Sequence, residues 1–506
     1  MKAIRLREIR LFLPVLLFFL GGCSPRTAYT NPVIYSDYSD PDVVCVDGEY
    51  WMTASSFNCS PGLQILHSTD LVDWEVVSAA LPEGLSYQGD TSSATRHGCG
   101  VWAPSIRYHD GLFYIFWGDP DYGIFQVHSA DPAGEWSEPV CVAEGKGMID
   151  PCPLWDDDGR VWLVHAWAKS RCGFNNILSV CELDSSVTTC ISGHVTVFDG
   201  FENGQVTTEG PKFYKRGSEY VILCPSGGVK TGHQLVLRSD TVDGTYRMRV
   251  AMHSGDSKVF GPHQGGWVKD AEGGDWFLHF EDRYAWGRVV HLQPMTWTDD
   301  GWCIIGVDTD QDGIGEPVAS HPRPAPFRRK PRSGRPDLLF QYQGNAPSTS
   351  EGSYALDSAS NLWLEPSLML EKISGPEMEY SDRFPVPPAG RQGIIVFGTD
   401  YATIEVAVRD GKAFILRKEC LGADKGSPEA VVDSLLIPDA CDEVRLGVVI
   451  KERRNYESPE YDGKDTYSAV CTFNYSFGPS DPKPLGPEFI ARPGRWIGAK
   501  TGSFHL

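Results

Sequence analysis

The chain has 506 residues, with 45 Lys+Arg against 67 Asp+Glu and a formal net charge of −22. It is too long for one small domain, and 41% apolar with 22% charged residues supplies real cores, which excludes wholesale disorder. The acidic balance argues against a general nucleic-acid binder.

At the N-terminus, Lys2, Arg5, Arg7 and Arg10 precede the apolar run Leu11 to Leu20. A basic stretch followed by an apolar run this short predicts a secretory signal, not a spanning helix. The run ends in Leu20-Gly21-Gly22-Cys23, which looks like a bacterial lipobox with cleavage before Cys23 and lipidation of its thiol. Ordinary cleavage near the two glycines is the alternative. Residues 1–23 are therefore read as a lipoprotein signal, and Ser24 points to the outer-membrane class. The expected location is the bacterial cell envelope, with membrane contact only through the lipid. Of 14 Cys, 13 remain after Cys23, with no CxxC and no zinc-type Cys/His spacing. Most, Cys45 among them, read as small buried hydrophobes.

Residues 31–320 read as short β runs separated by Gly, Asp and Pro turns, without helical periodicity. A loose repeat runs through them: an X-Pro element, a strand, a polar turn, an aromatic-rich strand and a third strand. The opening prolines are Pro41, Pro104, Pro151, Pro211 and Pro262. That period suits a four-stranded blade, and five copies predict a five-bladed β-propeller. One blade cannot bury both faces alone, so the blades stack around an axis and their first strands share one mouth. The 15 Trp, 20 Tyr and 23 Phe are assigned mostly to sheet core. Residues 321–336 form a basic, Pro-rich linker with Arg323, Arg328, Arg329, Lys330, Arg332 and Arg335. Residues 337–506 alternate again without that repeat, which predicts a separate β-sandwich. The fold class is all-β.

Asp40, Asp150 and Glu209 each stand at the start of a repeat. An acid in such a place is ordinarily a turn acceptor. Three of them at one position in the repeat would meet at one end of the axis, where like charges push a pKa up. A raised acid beside an ionised one is the pairing that glycosidic cleavage requires.

At this point the chain resembles glycoside hydrolase family 43. The resemblance rests on YSDPDVV, SSFNCSPGLQILHSTDLVDW, VWAPSIRYHDGLFYIFWGD, IDPCPLWDDDGR, TEGPKFYKR, GPHQGGWV with GRVVHLQPMTW, and the closing ARPGRWIGAKTGSF. The last looks like the concanavalin-like sandwich of β-xylosidase-type members, which can lend a loop to close the pocket. The resemblance implies Asp40 as general base, Glu209 as general acid and Asp150 as the carboxylate that tunes the acid. It implies inversion, with base and acid about 6.5–9.5 Å apart. It further implies Trp102, Phe57 and Arg288 in the sugar pocket, and His263 near an axial ion, a structural calcium, with no cofactor required. The acids Asp37 and Asp42 neighbour Asp40, and the Asp-Pro frame favours Asp40. Asp308 to Gly313 mimics the start of a calcium loop, but Ala319 cannot supply its last ligand.

The expected activity is exo-acting hydrolysis releasing terminal α-L-arabinofuranosyl or β-D-xylosyl residues from plant cell-wall glycans. A non-catalytic surface glycan-binding lipoprotein is the alternative, and retention of three acids argues against it. A retaining fructosidase would need a WMNDPNG-like segment, which is missing. No Ser-His-Asp ordering, phosphate-cradling Gly loop or HExxH motif appears.

Overall fold

The computed structural model describes residues 27–86, 95–344, 361–365, 367–388 and 390–506. The signal segment and Cys23 lie outside the described residues. Among these residues no helix is long and apolar enough to cross a membrane.

Five antiparallel four-stranded sheets follow one another in the chain, each a simple meander. The first holds Asp42–Val46, Glu49–Thr53, Gly62–Ser68 and Glu75–Leu81. The first strands of the other four are Trp102–His109, Met148–Trp155, Lys212–Arg216 and Gly265–Lys269. Alternating burial explains the ring: Ile106, Ile115 and Val127 of the second blade pack on Trp51, Ile65 and Val77 of the first in one apolar cluster. A small two-stranded sheet closes the ring. Ala28–Thr30 pairs with Ser320–Pro322, and the Asn31 side chain donates to the carbonyls of Leu292 and Val318.

Every blade starts alike. Asp40, Ala103, Asp150, Gly210 and Gly261 each precede the repeat's proline, and their φ values are 56°, 38°, 57°, 58° and 59°. Left-handed backbone at a non-glycine residue costs roughly 1–3 kcal/mol and persists only where packing over-determines it. One correction follows: Asp40 and Asp150 occupy the same place in the repeat, whereas Glu209 stands one residue earlier, with Gly210 in the strained position.

Just below that layer a polar lock crosses the axis. Arg107 of blade two donates to Asp42 Oδ2 of blade one at 2.6 Å and to Cys152 Sγ of blade three at 2.9 Å. Phe213 N of blade four also donates to Cys152 Sγ at 3.2 Å, and Lys212 Nζ donates to Pro104 O at 2.7 Å. Tyr214 then accepts from Trp267 N of blade five at 2.9 Å. Cys152 thus serves as a buried hydrogen-bond acceptor while also packing in an apolar cluster with Ile149, Val164 and Phe213. Cys45 is only half-buried.

The basic segment is strapped to blade one. Arg323 bridges Asp70 and Asp73, Phe327 packs on Tyr50, and Arg332 pairs with Glu49 above the Trp51 ring. Arg335 pairs with Asp337, and Arg329 donates to the Asp47 carbonyl. The remainder forms two facing sheets, one of seven strands and one of five. Ile394, Val396, Ile404 and Val406 of one sheet meet Val444, Leu446, Val448 and Phe473 of the other. Ala285, Trp286 and Val289 of the propeller join that same core, so the two domains share apolar packing. The last strand, Lys500–His505, lies between Met369–Lys372 and Gln392–Phe397. That anchors the preceding loop, 492–498, against the propeller.

Candidate active site

A cavity of about 260 Å³ opens where the five first strands begin. It is lined by Asp40, Asp150 and Glu209 together with Phe57, Trp102 and Arg288. All three acids and the three expected pocket residues are therefore brought together from blades one to five. Trp496, from the sandwich, completes the wall, and its ring meets that of Trp102 edge-on at 6.1 Å. A groove of about 500 Å³ continues past Val229, Arg288 and Trp496 between the two domains.

Each acid is held differently. Ser55 Oγ donates to Asp40 Oδ2 at 2.6 Å and itself accepts from Ala103 N. Arg288 Nη1 lies 3.2 Å from Asp40 Oδ1. Asp150 is 3% exposed and accepts from Gly210 N at 2.7 Å. The Glu209 side chain is 31% exposed, facing the cavity, and its nearest basic atom is His263 Nε2 at 3.7 Å. Burial, then the charges of Asp150 and Asp40, push Glu209 up to about 8, against an opposing pull from Arg288. Burial is also the largest cause raising Asp150, which the Gly210 N–H opposes and Asp40 reinforces. Asp150 and Glu209 titrate as a pair.

The structure also separates Asp40 from its neighbours. Asp37 accepts from Arg288 N at 2.8 Å and Gly498 N at 3.0 Å, clamping the sandwich to the pocket rim. Asp42 is fully buried in the interblade lock. Only Asp40 of the three lines the cavity.

His263 is buried beneath Glu209, and neither ring nitrogen has a hydrogen-bond partner; Gln264 Nε2 and Gln234 Oε1 nearby are also unpartnered. Burial, helped by Arg288, lowers its pKa to about 3, so the ring is neutral. These donors do not fit a calcium ion held by the protein. Calcium takes about 6–8 oxygen ligands, whereas an imidazole and amides dominate here. Among the described residues, groups of three ligating His, Cys, Asp or Glu atoms gather elsewhere. One such group is Asp308, Asp310 and Asp312, whose carboxylates accept from the backbone N–H groups of their own loop. Ala319, at the loop's twelfth position, uses its carbonyl to accept from Asn31 N in the ring closure.

Sequence reasoning did not single out Ser55, Gln264, Thr207 or Trp496. Ser55 opens a quoted stretch, SSFNCSPGLQILHSTDLVDW, but nothing in the letters assigns it to Asp40. Trp496 lies inside the quoted closing segment, but its position over the cavity depends on domain docking.

Known proteins resemble this chain in sequence and in fold. The family model described as "Glycosyl hydrolases family 43" matches residues 29–303. A "Putative beta-xylosidase" of Xylanibacter ruminicola is 39% identical over 296 residues, covering 58% of this chain and 54% of the relative. A non-reducing end alpha-L-arabinofuranosidase of Bacteroides ovatus is 30% identical over 319 residues, covering 59% of this chain and 58% of the relative. The chain thus spans little more than half the length of these relatives. A solved GH43 glycoside hydrolase, engineered for endo-xylanase and exo-arabinofuranosidase activity, superposes with a TM-score of 0.78 at 24% identity. That match covers 94% of this chain and 96% of the other, which fixes the fold as a five-bladed propeller with a β-sandwich.

Proposed function

Because the chain belongs to the glycosyl hydrolases of family 43, we propose that it is an exo-acting, inverting glycoside hydrolase. It releases terminal α-L-arabinofuranosyl or β-D-xylosyl residues from plant cell-wall polysaccharides or oligosaccharides. The observation that carries this reading is the gathering of Asp40, Asp150 and Glu209 around a cavity of about 260 Å³ that Trp496 walls on one side. A space that small suits one pentose at a chain end better than a through-running polymer.

Glu209, which burial and two neighbouring carboxyls keep protonated at neutral pH, donates its proton to the leaving oxygen. Asp40, ion-paired with Arg288, takes a proton from water as that water attacks the anomeric carbon from the opposite face. Asp150 does not touch the leaving oxygen; it keeps Glu209 proton-rich and is itself held by Gly210 N. Phe57, Trp102 and Trp496 offer ring faces to the sugar, and Arg288 donates to its hydroxyls. No step calls for a cofactor. A binding-only lipoprotein would have no use for a buried carboxyl raised beside two others, at a cost in stability.

Proton NMR of the first-formed sugar tests the mechanism: inversion is expected, and net retention would refute it. Asp40→Asn and Glu209→Gln are each expected to lower kcat by about 10³-fold while sugar binding survives. A panel of aryl arabinofuranosides and xylosides then assigns the preferred pentose.

We further propose that Cys23 carries the lipid in the cell envelope. The basic residues and apolar run ahead of Leu20-Gly21-Gly22-Cys23 support this. Radiolabelled fatty acid should enter wild-type protein and not Cys23→Ala.

A further inference from the structure

We propose that Cys181, Cys190 and His194 form a binding site for a zinc-type divalent cation on the third blade, away from the sugar pocket. The three residues fall within one short stretch, 181–194, without zinc-type spacing, and one ligand atom from each lies within 4.8 Å of the others. Cys181 is buried on the strand Ile177–Leu183. Cys190 is half-buried on the returning hairpin, where it forms a β-bridge with Leu183. His194 is exposed and immediately precedes the outer strand Val195–Asp199. Two thiolates and an imidazole form a donor set that favours a borderline-soft cation over calcium or magnesium.

A second observation points the same way. His165 is fully buried, and its Nδ1 faces Ala166 O at 3.1 Å while its Nε2 faces His194 Nδ1 at 2.8 Å. A carbonyl can only accept, so the proton of a neutral His165 sits on Nδ1 and its Nε2 must accept from His194 Nδ1–H. That leaves the lone pair of His194 on Nε2, available to a cation. A carbonyl–His–His relay of this kind fixes the tautomer and ring orientation of a ligating histidine. A disulfide between the two cysteines would have no use for it. Trp167 packs edge-on against His165 and restricts its ring further.

With three protein ligands, a fourth position is left for solvent. The consequence is mechanical. Cys190 N also donates to Val142 O of the second blade at 2.7 Å. A cation here therefore ties the 184–194 hairpin to its own blade while that hairpin leans on the neighbouring one.

The test is titration of the purified, reduced protein with Co²⁺ under anaerobic conditions, followed by competition with Zn²⁺. Thiolate-to-cobalt absorption saturating at one equivalent and displaced by zinc is expected. Cys190→Ser should abolish it, and His194→Ala should weaken binding at least about tenfold. His165→Phe should weaken binding by about 10–100-fold. His165→Gln, which can still accept from His194 Nδ1–H, should restore most of the loss. If Cys181→Ser fails to fold, the exposed-side variants carry the test. The proposal is overturned if no thiolate band appears while both thiols titrate as free, or if the band survives Cys190→Ser. It is also overturned if a Cys181–Cys190 disulfide re-forms in the presence of excess zinc.

Discussion

Gly210 N donates to Asp150 Oδ2 at 2.7 Å, so the third acid hangs from the peptide that immediately follows Glu209. The Asp150 carboxyl is thereby fixed relative to the backbone that carries Glu209, whose own side chain then reaches into the cavity. A side chain at Gly210 would crowd this approach. The φ of Gly210 is +58°, and a Cβ there would come within 2.6 Å of the Gln264 side chain.

Asp150→Asn removes one of the charges that raise Glu209. Activity at neutral pH should drop by roughly 10²-fold, and the alkaline limb of the kcat/KM profile should move to lower pH. A limb that stays in place would show that Asp150 does not act through Glu209.

The raised carboxyls also cost stability. Both titrate higher when folded than when unfolded, so the folded chain binds more protons from about pH 4, where free carboxyls titrate, to about pH 8. Their destabilisation is absent at the acidic end and complete at the alkaline end. Glu209→Gln should therefore raise Tm at pH 8, with the gain shrinking to nothing near pH 4. A gain that is equal at both pH values would contradict the assignment.

Asp37→Ala leaves Arg288 N and Gly498 N without their acceptor at the domain junction. Losing two charge-assisted bonds should cost about 3 kcal/mol by urea denaturation. kcat/KM should fall as well, because Arg288 and the loop carrying Trp496 lose their shared anchor.

Trp496 is 57% exposed, so Trp496→Ala should barely change Tm. KM should rise by about tenfold, equivalent to roughly 1.4 kcal/mol for one lost aromatic contact, with kcat little altered. Steady-state kinetics on an aryl pentoside checks the split.

Cys152→Val should destabilise by about 2–3 kcal/mol, since Arg107 and Phe213 N lose a buried acceptor. Cys45→Val, at a half-buried site, should change stability by less than about 1 kcal/mol.

Much of the molecule was legible before any coordinates. The prolines at 41, 104, 151, 211 and 262 stand at or within a few residues of the start of the first strand of each of the five blades, where proline fixes φ. Asp40 and Asp150 were visible through that same frame. Alternating apolar residues marked the sandwich, since strand periodicity survives in sequence. Strand patterning is a local property, and local properties are written along the chain.

What the tertiary structure alone decided depends on contacts between distant segments. Asp37, Asp40 and Asp42 are indistinguishable as letters. They part ways because backbone N–H groups from residues 288 and 498 reach the first, the cavity opens onto the second, and Arg107 claims the third. Trp496 became part of the pocket because Trp286 of the propeller is buried in the sandwich core. Cys181, Cys190 and His194 likewise meet only because a hairpin folds back on its own blade. Hydrophobic patterning specifies which faces are buried, but it does not specify which polar atoms then come within reach of one another. That is settled only when the blades and the sandwich pack.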